Sequence, residues 1–362
     1  MKHEPQTLRI GAIGCGPFAS TYHFPAIAAI SELQLAAFCS RSATRAQVQA
    51  QRYGCADVYT DFRKMLDESE LDGVCIVGPP QLHVEAAKEC LIRKLPFMTE
   101  KPLAATLEEA RSVARLAAEH GDCGMVGYTS RCCPVQRLAL RVSQQPDFGK
   151  LVYVATTHLT MAAMHPVWDI EDPVESFVNE QGVHAIDLWR YFGGNPAVVA
   201  ANVAGLQKRF DAVYSGSVLA TVRNPDGGPH GTIHMKAGAS HNGDINTDIM
   251  GERTRLRVSN NQALDYERRP EWAEALMEDD VLAGTIPHDA TATSRIELSG
   301  LEAPSYYPDF FRFEWLSFAR SVRGGVALSP SITDAYHTAC LTESICRSLR
   351  DDGAPVQVDY SL

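Results

Sequence analysis

Long apolar runs are missing from this sequence. No stretch of its 362 residues approaches the roughly 20 consecutive apolar residues that a membrane-spanning helix takes. The opening Met1-Lys2-His3-Glu4-Pro5-Gln6 has no apolar core of the kind a secretory leader carries. A cytoplasmic location and no membrane partner are therefore expected. Long runs of one charge are missing too. A net charge of −11 spread without acidic blocks argues against nucleic acid as a partner and leaves a small molecule. Charged residues at 21% and hydrophobic residues at 45%, without repeats or low-complexity tracts, describe a folded globular chain and exclude a disordered one. Cysteine is plentiful at ten, but metal-site spacing is absent. Adjacent Cys132-Cys133 has no second Cys-x-x-Cys pair or histidines at ligand spacing, so the thiols read as reduced core residues and no metal is expected.

What is present starts with length. Single cores stop growing at about 250–300 residues, so the chain suits two domains with a cleft between them. Leu8-Arg9-Ile10-Gly11-Ala12-Ile13-Gly14 is a compact apolar strand that runs into Cys15-Gly16-Pro17-Phe18-Ala19. The pair spells Gly14-x-Gly16-x-x-Ala19, a dinucleotide fingerprint with alanine in third place. The first glycine permits the tight turn, the second lets backbone reach a pyrophosphate, and the small third residue lets helix and strand pack closely. A helical stretch from Ser20 to Ser31 and a second apolar run from Leu33 to Cys39 complete a βαβ unit. Gly14, Gly16, Pro17, Phe18 and Ala19 are thus candidate cofactor contacts.

At the end of the second strand, NAD enzymes usually carry an acid for the ribose 2′-hydroxyl. Ser40-Arg41-Ser42-Ala43-Thr44-Arg45 offers no carboxylate. Ser40, Arg41 and Arg45 could instead pair with a 2′-phosphate, so NADP is favoured and NAD stays possible. In the other reading Arg41 stacks on adenine and Arg45 is a solvated helix residue.

The alternation continues. A helix from Asp61 to Glu68, an apolar strand Leu71 to Val77 ending at Gly78-Pro79-Pro80, and a helix from Leu82 to Lys94 follow in order. Then Pro96-Phe97-Met98-Thr99-Glu100-Lys101-Pro102 drives an apolar strand into an acid, a base and a proline, at a strand end of the kind where open α/β sheets bind ligands. Thr106 and Glu109 have capping-box spacing for a helix to His120-Gly121, and a strand spans Cys123 to Tyr128. Strand–helix alternation of this kind predicts a doubly wound parallel sheet over residues 1–128.

From about residue 150 the rhythm changes. Leu151 to Leu159, Ala197 to Gln207, Ser215 to Val222, His230 to Lys236 and Arg253 to Val258 read as strands without intervening long helices. A mostly antiparallel, open-faced sheet is expected over 129–362, covered on one face by helices near Gly182 to Phe192, Phe310 to Arg323 and Ile332 to Leu349. An apolar second face would have to be buried, which predicts a homodimer or homotetramer through this sheet. Asn260 to Pro304 reads only as loops. Within this half, Glu180-Gln181-Gly182-Val183-His184-Ala185-Ile186-Asp187 sets a histidine on a first helical turn with carboxylates close by in sequence. The cluster suits an imidazole tuned for proton transfer, or a helix cap around a satisfied histidine.

Taken together, Gly14-x-Gly16-x-x-Ala19, Pro79-Pro80 with His83, Glu100-Lys101-Pro102, Gly182-x-His184-x-x-Asp187 and the aromatic Tyr307 to Phe318 segment resemble, in order and spacing, the Gfo/Idh/MocA family of oxidoreductases. The resemblance implies a Rossmann domain followed by a substrate-binding and oligomerisation domain of α+β type. It implies NAD(P)-dependent hydride transfer to or from a secondary alcohol or ketone of a sugar, sugar derivative or cyclitol. Lys101 would bind the substrate oxygen and His184 would act as general acid–base, oriented by Glu180 where the family has aspartate. Pro79, His83, Glu100 and Lys101 would lie at the cofactor, with a cis peptide before Pro102. Tyr128, Arg131, Trp168, His184 and Lys101 are candidate substrate contacts, with His158 and Asp169 beside them. The alternatives are a reductase or dehydrogenase of a dihydrodiol or tetrapyrrole, and a non-catalytic nucleotide-responsive regulator.

Overall fold

The protein is described from a computed structural model, which covers residues 7–209, 212–224, 227–239, 244–267, 295–297 and 308–362. The chain divides into two compact units. Met1–Thr129 with Tyr307–Tyr336 and Leu362 form the first, and Ser130–Tyr306 with His337–Ser361 form the second.

The first unit is built on six strands among the described residues: β1 Leu8–Ile13, β2 Leu33–Cys39, β3 Asp57–Tyr59, β4 Gly73–Ile76, β5 Phe97–Thr99 and β6 Gly124–Val126. They pair in the order β3-β2-β1-β4-β5-β6 and every pairing is parallel, the strand order of a Rossmann sheet. Helices cover both faces of such a sheet, which is why its strands are continuous apolar runs. The helices start where the sequence supplies caps. Ser42 accepts from Arg45 N ahead of Ala43–Tyr53, Asp61 from Arg63 N ahead of Phe62–Glu68, and Thr106 with Glu109 closes a complete capping box ahead of Leu107–His120. Pro80 opens the helix Pro80–Arg93, where its missing N–H costs nothing. The stretch expected as one helix from Ser20 to Ser31 is a π-helical turn, Ala19–His23, running into a short helix, Phe24–Ala28.

One expectation is corrected here. The helix over Phe310 to Arg323 forms, as Pro308–Gly324, but it belongs to the dinucleotide unit and not to the second sheet. Phe318 is fully buried with its ring over Gly73, where a side-chain Cβ would come within 2.8 Å. Phe311 packs its ring against Phe18, Tyr22 and His23. Residues 129–362 are therefore not one uninterrupted second unit. An amphipathic helix states that it has an apolar face; it does not state which core receives that face.

The second unit carries nine strands among the described residues, β7 Leu151–Leu159, β8 Val198–Arg209, β9 Ala212–Arg223, β10 His230–Ala237, β11 Asp244–Gly251, β12 Arg255–Ser259, β13 Ala263–Tyr266, β14 Arg295–Glu297 and β15 Val356–Gln357. Their order is β14-β13-β12-β11-β7-β10-β9-β8-β15, antiparallel except for β7 beside β10. β11 and the helix Pro134–Ser143 add to the strands and helices expected from the sequence. Within Asn260 to Pro304, expected as loops, Ala263–Tyr266 and Arg295–Glu297 pair as strands. Positions 268–294 and 298–304 of that segment, and Tyr307 of the aromatic segment, lie outside the described residues.

Period-two alternation sorts this sheet into two faces. Ala201, Ala220, Ile233, Thr156, Thr247, Val258, Leu264 and Ile296 form one cross-strand row, all buried. Helices cover that side, as shown by Trp189 donating to Val154 O, by Thr156 donating to Ala185 O and by Ser348 accepting from Ala201 N. The opposite row through Asn202, Leu219, His234, Thr157 and Asn246 mixes polar with apolar groups. Leu219 is 47% exposed and Met250 38%. The open face is thus not the continuous apolar surface the sequence pattern suggested.

Candidate active site

The glycine turn after β1 is built for close approach by a ligand. Gly14 has φ +94°, and a Cβ there would collide with the carbonyl oxygen of Val77, so only glycine fits. A Cβ on Gly16 would meet nothing within 4 Å; the open space beside that backbone is where a pyrophosphate could approach. Ala19 is fully buried and starts the helical turn, whose first N–H groups suit an anion. These residues fit a dinucleotide. Beyond β2, Arg41 and Arg45 are exposed. Neither guanidinium has a side-chain partner among the described residues. Ser40 Oγ accepts from Ser42 N at 3.3 Å, and Ser42 caps the next helix.

At the end of β5 the peptide Lys101–Pro102 is cis, as the family resemblance implied. Glu100 is buried beneath this turn. One carboxylate oxygen accepts from Lys101 N at 2.9 Å and the other pairs with His23 Nε2 at 2.9 Å. Burial alone would raise its pKa, but the hydrogen bond from His23 and the Lys101 charge bring it below the usual carboxylate value. Lys101 itself is half-buried. His83, expected at the cofactor, is 1% exposed and ties two loops together: Nε2 accepts from Gly78 N at 3.2 Å and Nδ1 donates to Pro102 O at 2.9 Å. Burial lowers its pKa and keeps it neutral. It shapes the turn that carries Lys101, and Pro79 is exposed. Tyr128 is 2% exposed and follows β6.

In the second unit, His184 sits on the first turn of the helix Val183–Gly193, after a π-helical turn, Val178–Gly182, that holds half-buried Glu180. Gly182 lies against Met235 of β10, where a Cβ would overlap the sulfur, so this glycine sets how closely His184 approaches the sheet. The His184 ring stacks on buried His158 of β7, with centroids 5.5 Å apart and an angle of 30°. Asp187 is committed elsewhere. Its carboxylate accepts from Arg131 Nε and Nη2, both at 2.6 Å, and from Thr338 Oγ1 at 2.9 Å. This buried pair joins Arg131 to the His184 helix through Asp187. Trp168 and Asp169 occupy consecutive left-handed positions, φ 51° and 65°, in a turn closed by Ile170 N donating to Val167 O.

Residues 8–128 match a family model described as an oxidoreductase family with an NAD-binding Rossmann fold, Gfo/Idh/MocA. Over that stretch the chain is similar to the Gfo/Idh/MocA oxidoreductases. It is 30% identical to D-glucoside 3-dehydrogenase of Escherichia coli (strain K12) over 216 residues, 56% of this chain and 58% of that protein, so the match spans little more than half of that relative. It is 22% identical to scyllo-inositol 2-dehydrogenase (NADP(+)) of Bacillus subtilis (strain 168) across 97% of this chain and 96% of that one. In fold it is similar to levoglucosan dehydrogenase in complex with NADH, with a TM-score of 0.78 at 20% identity over 98% and 100% of the two chains. The glycine turn and the Glu100-Lys101-Pro102 turn fall inside the stretch matched to the Gfo/Idh/MocA model; His184 lies beyond it.

Sequence reasoning missed His23, Gly127, Glu314 and Trp315. His23 is fully buried, and its Nδ1 accepts from the Trp315 indole N–H at 3.3 Å. The aromatic segment around Trp315 had been noticed only as part of the family pattern, because nothing local links it to a site about two hundred residues upstream. Among the described residues no group of three or more His, Cys, Asp or Glu could hold a metal ion, no helix is long and apolar enough to cross a membrane, and none of the ten cysteines is in a disulfide.

Proposed function

We propose that the chain is an NAD(P)-dependent dehydrogenase or reductase acting on a secondary alcohol or ketone of a sugar, sugar derivative or cyclitol. The observation that carries this reading is the first unit's sheet edge, where a glycine turn with room for a pyrophosphate accompanies a lysine whose backbone is held by a buried carboxylate. The names of the matched relatives, a glucoside dehydrogenase and an inositol dehydrogenase, support the substrate class. A bound nicotinamide would supply the hydride acceptor or donor. The protein supplies charge and proton transfer. Lys101 ammonium stabilises the alkoxide as it forms, neutral His184 takes the hydroxyl proton, and Glu180 orients that imidazole; in the reductive direction His184 returns the proton. Trp168 and Tyr128 are proposed substrate contacts. NADP is the proposed cofactor, because two unpaired arginines and no carboxylate follow β2, with NAD as the other candidate. A homodimer or homotetramer through the open sheet face is the proposed assembly.

The test is a scan of sugars, cyclitols and small ketones with NADP(H) and NAD(H), followed by Lys101→Ala and His184→Ala. Each substitution should lower turnover by about 10²–10⁴-fold, the usual range for a positioned acid–base or charge-stabilising group, with cofactor affinity retained. Near-wild-type turnover in either variant removes its assigned role, and silence of the parent with every substrate despite tight nucleotide binding favours the regulator.

A further inference from the structure

Glu314 lies on the helix Pro308–Gly324 with no exposed surface, and neither carboxyl oxygen has a hydrogen-bond partner among the described residues. Thr129 Oγ1 is its polar neighbour but completes no hydrogen bond by geometry. The negative group acting on Glu314 is Glu100. Two carboxylates sharing a buried site cannot both ionise cheaply, and the donors decide which one carries the charge. Glu100 receives two, His23 Nε2–H and Lys101 N–H; Glu314 receives none. The Trp315 N–H can only donate, so the His23 Nδ1 it reaches must be an acceptor, which puts the His23 proton on Nε2 facing Glu100. The backbone of Gly127 closes over the Glu100 carboxyl, where a Cβ would come within 3.3 Å. The other titratable groups around the pair are Lys101 and His83 on the Glu100 side and the buried thiol Cys75. Burial first, and the Glu100 charge second, push Glu314 well above the usual carboxylate value.

We propose that Glu314, carrying the proton, and Glu100, carrying the charge, form a buried acid pair that positions Lys101 from beneath, with His23 and Trp315 holding Glu100 in place. The pair places a single negative charge under the lysine. This matters for turnover only on the reading of Lys101 as ligand of the substrate oxygen, on which it rests.

Two measurements on the apo protein decide it. The infrared difference between wild type and Glu314→Gln at neutral pH should show the deuterium-sensitive carbonyl stretch of a protonated carboxylic acid, lost in the variant. A difference containing only carboxylate stretches overturns the pair. Should that variant not fold, glutamate-labelled wild type replaces it: one carboxyl must keep its acid form through neutral pH, and its absence is equally fatal. The second measurement is the titration of the Lys101 amine after reductive ¹³C-methylation. Glu100→Gln should lower its midpoint and Glu314→Gln should leave it unmoved. The reverse pattern, or no shift in either variant, overturns the assignment. Neither measurement needs cofactor or substrate, so a silent substrate scan removes the dehydrogenase reading and leaves these results standing.

Discussion

Lys101, the lysine proposed to bind the substrate oxygen, is supported from several sides. Its backbone N–H is held by Glu100 and the next peptide is cis; His83 fastens the Pro102 carbonyl that follows. The exposed Arg41 and Arg45 stand at the opposite extreme, with no such support. If they bind a 2′-phosphate, Arg41→Ala and Arg45→Ala should each raise the KM for NADP about 10–100-fold, the worth of a hydrogen bond to a charged group, while the KM for NAD hardly moves. Equal losses for both cofactors would leave adenine stacking as the better account. His83 makes a testable statement about pH. Its folded pKa is depressed by burial, so the unfolded chain binds the extra proton. Stability is fully present above the unfolded value near 6.5 and falls as pH drops below it. Urea unfolding between pH 7 and pH 5 should show a steeper loss in wild type than in His83→Gln. Parallel slopes would mean that His83 is not held neutral.

At the scale of elements, capping was readable in advance and packing was not. Thr106 with Glu109 foretold where a helix begins, because both partners of the capping box lie within four residues. Alternation marked the runs of β7, β8, β9, β10 and β12 as strands, since one face of each had to be apolar. The helix Pro308–Gly324 was recognisable as a helix, yet its destination rested on Phe318 meeting Gly73 and Trp315 meeting His23, contacts between residues nearly three hundred apart for the second pair. Phe318→Ala should therefore destabilise the dinucleotide unit, by about 3–5 kcal/mol for a buried phenylalanine, read as an earlier urea transition with cofactor protection weakened. A loss confined to the second unit would place this helix wrongly.

On the scale of the whole molecule, the proposed assembly turns on the open sheet face. Leu219 and Met250 are exposed there among polar neighbours, a mixed surface suited to a recognised partner more than to unselective association. Leu219→Asp should shift sedimentation from oligomer to monomer without disturbing cofactor binding. A monomeric parent at micromolar concentration would remove the proposed assembly. The apolar runs, the glycine fingerprint, the caps and the strand alternation were settled by sequence alone, because each depends on neighbours a few residues apart or on a repeating period. Which core takes the aromatic helix, which guanidinium Asp187 binds, and which histidine Trp315 reaches were decided only in three dimensions. Those pairings join residues from 56 to 292 positions apart, and no local pattern records which buried donor will find which acceptor. Glu100 and Lys101 at the end of β5 were therefore visible from the start, while Glu314, His23 and Trp315 came into view only with the fold.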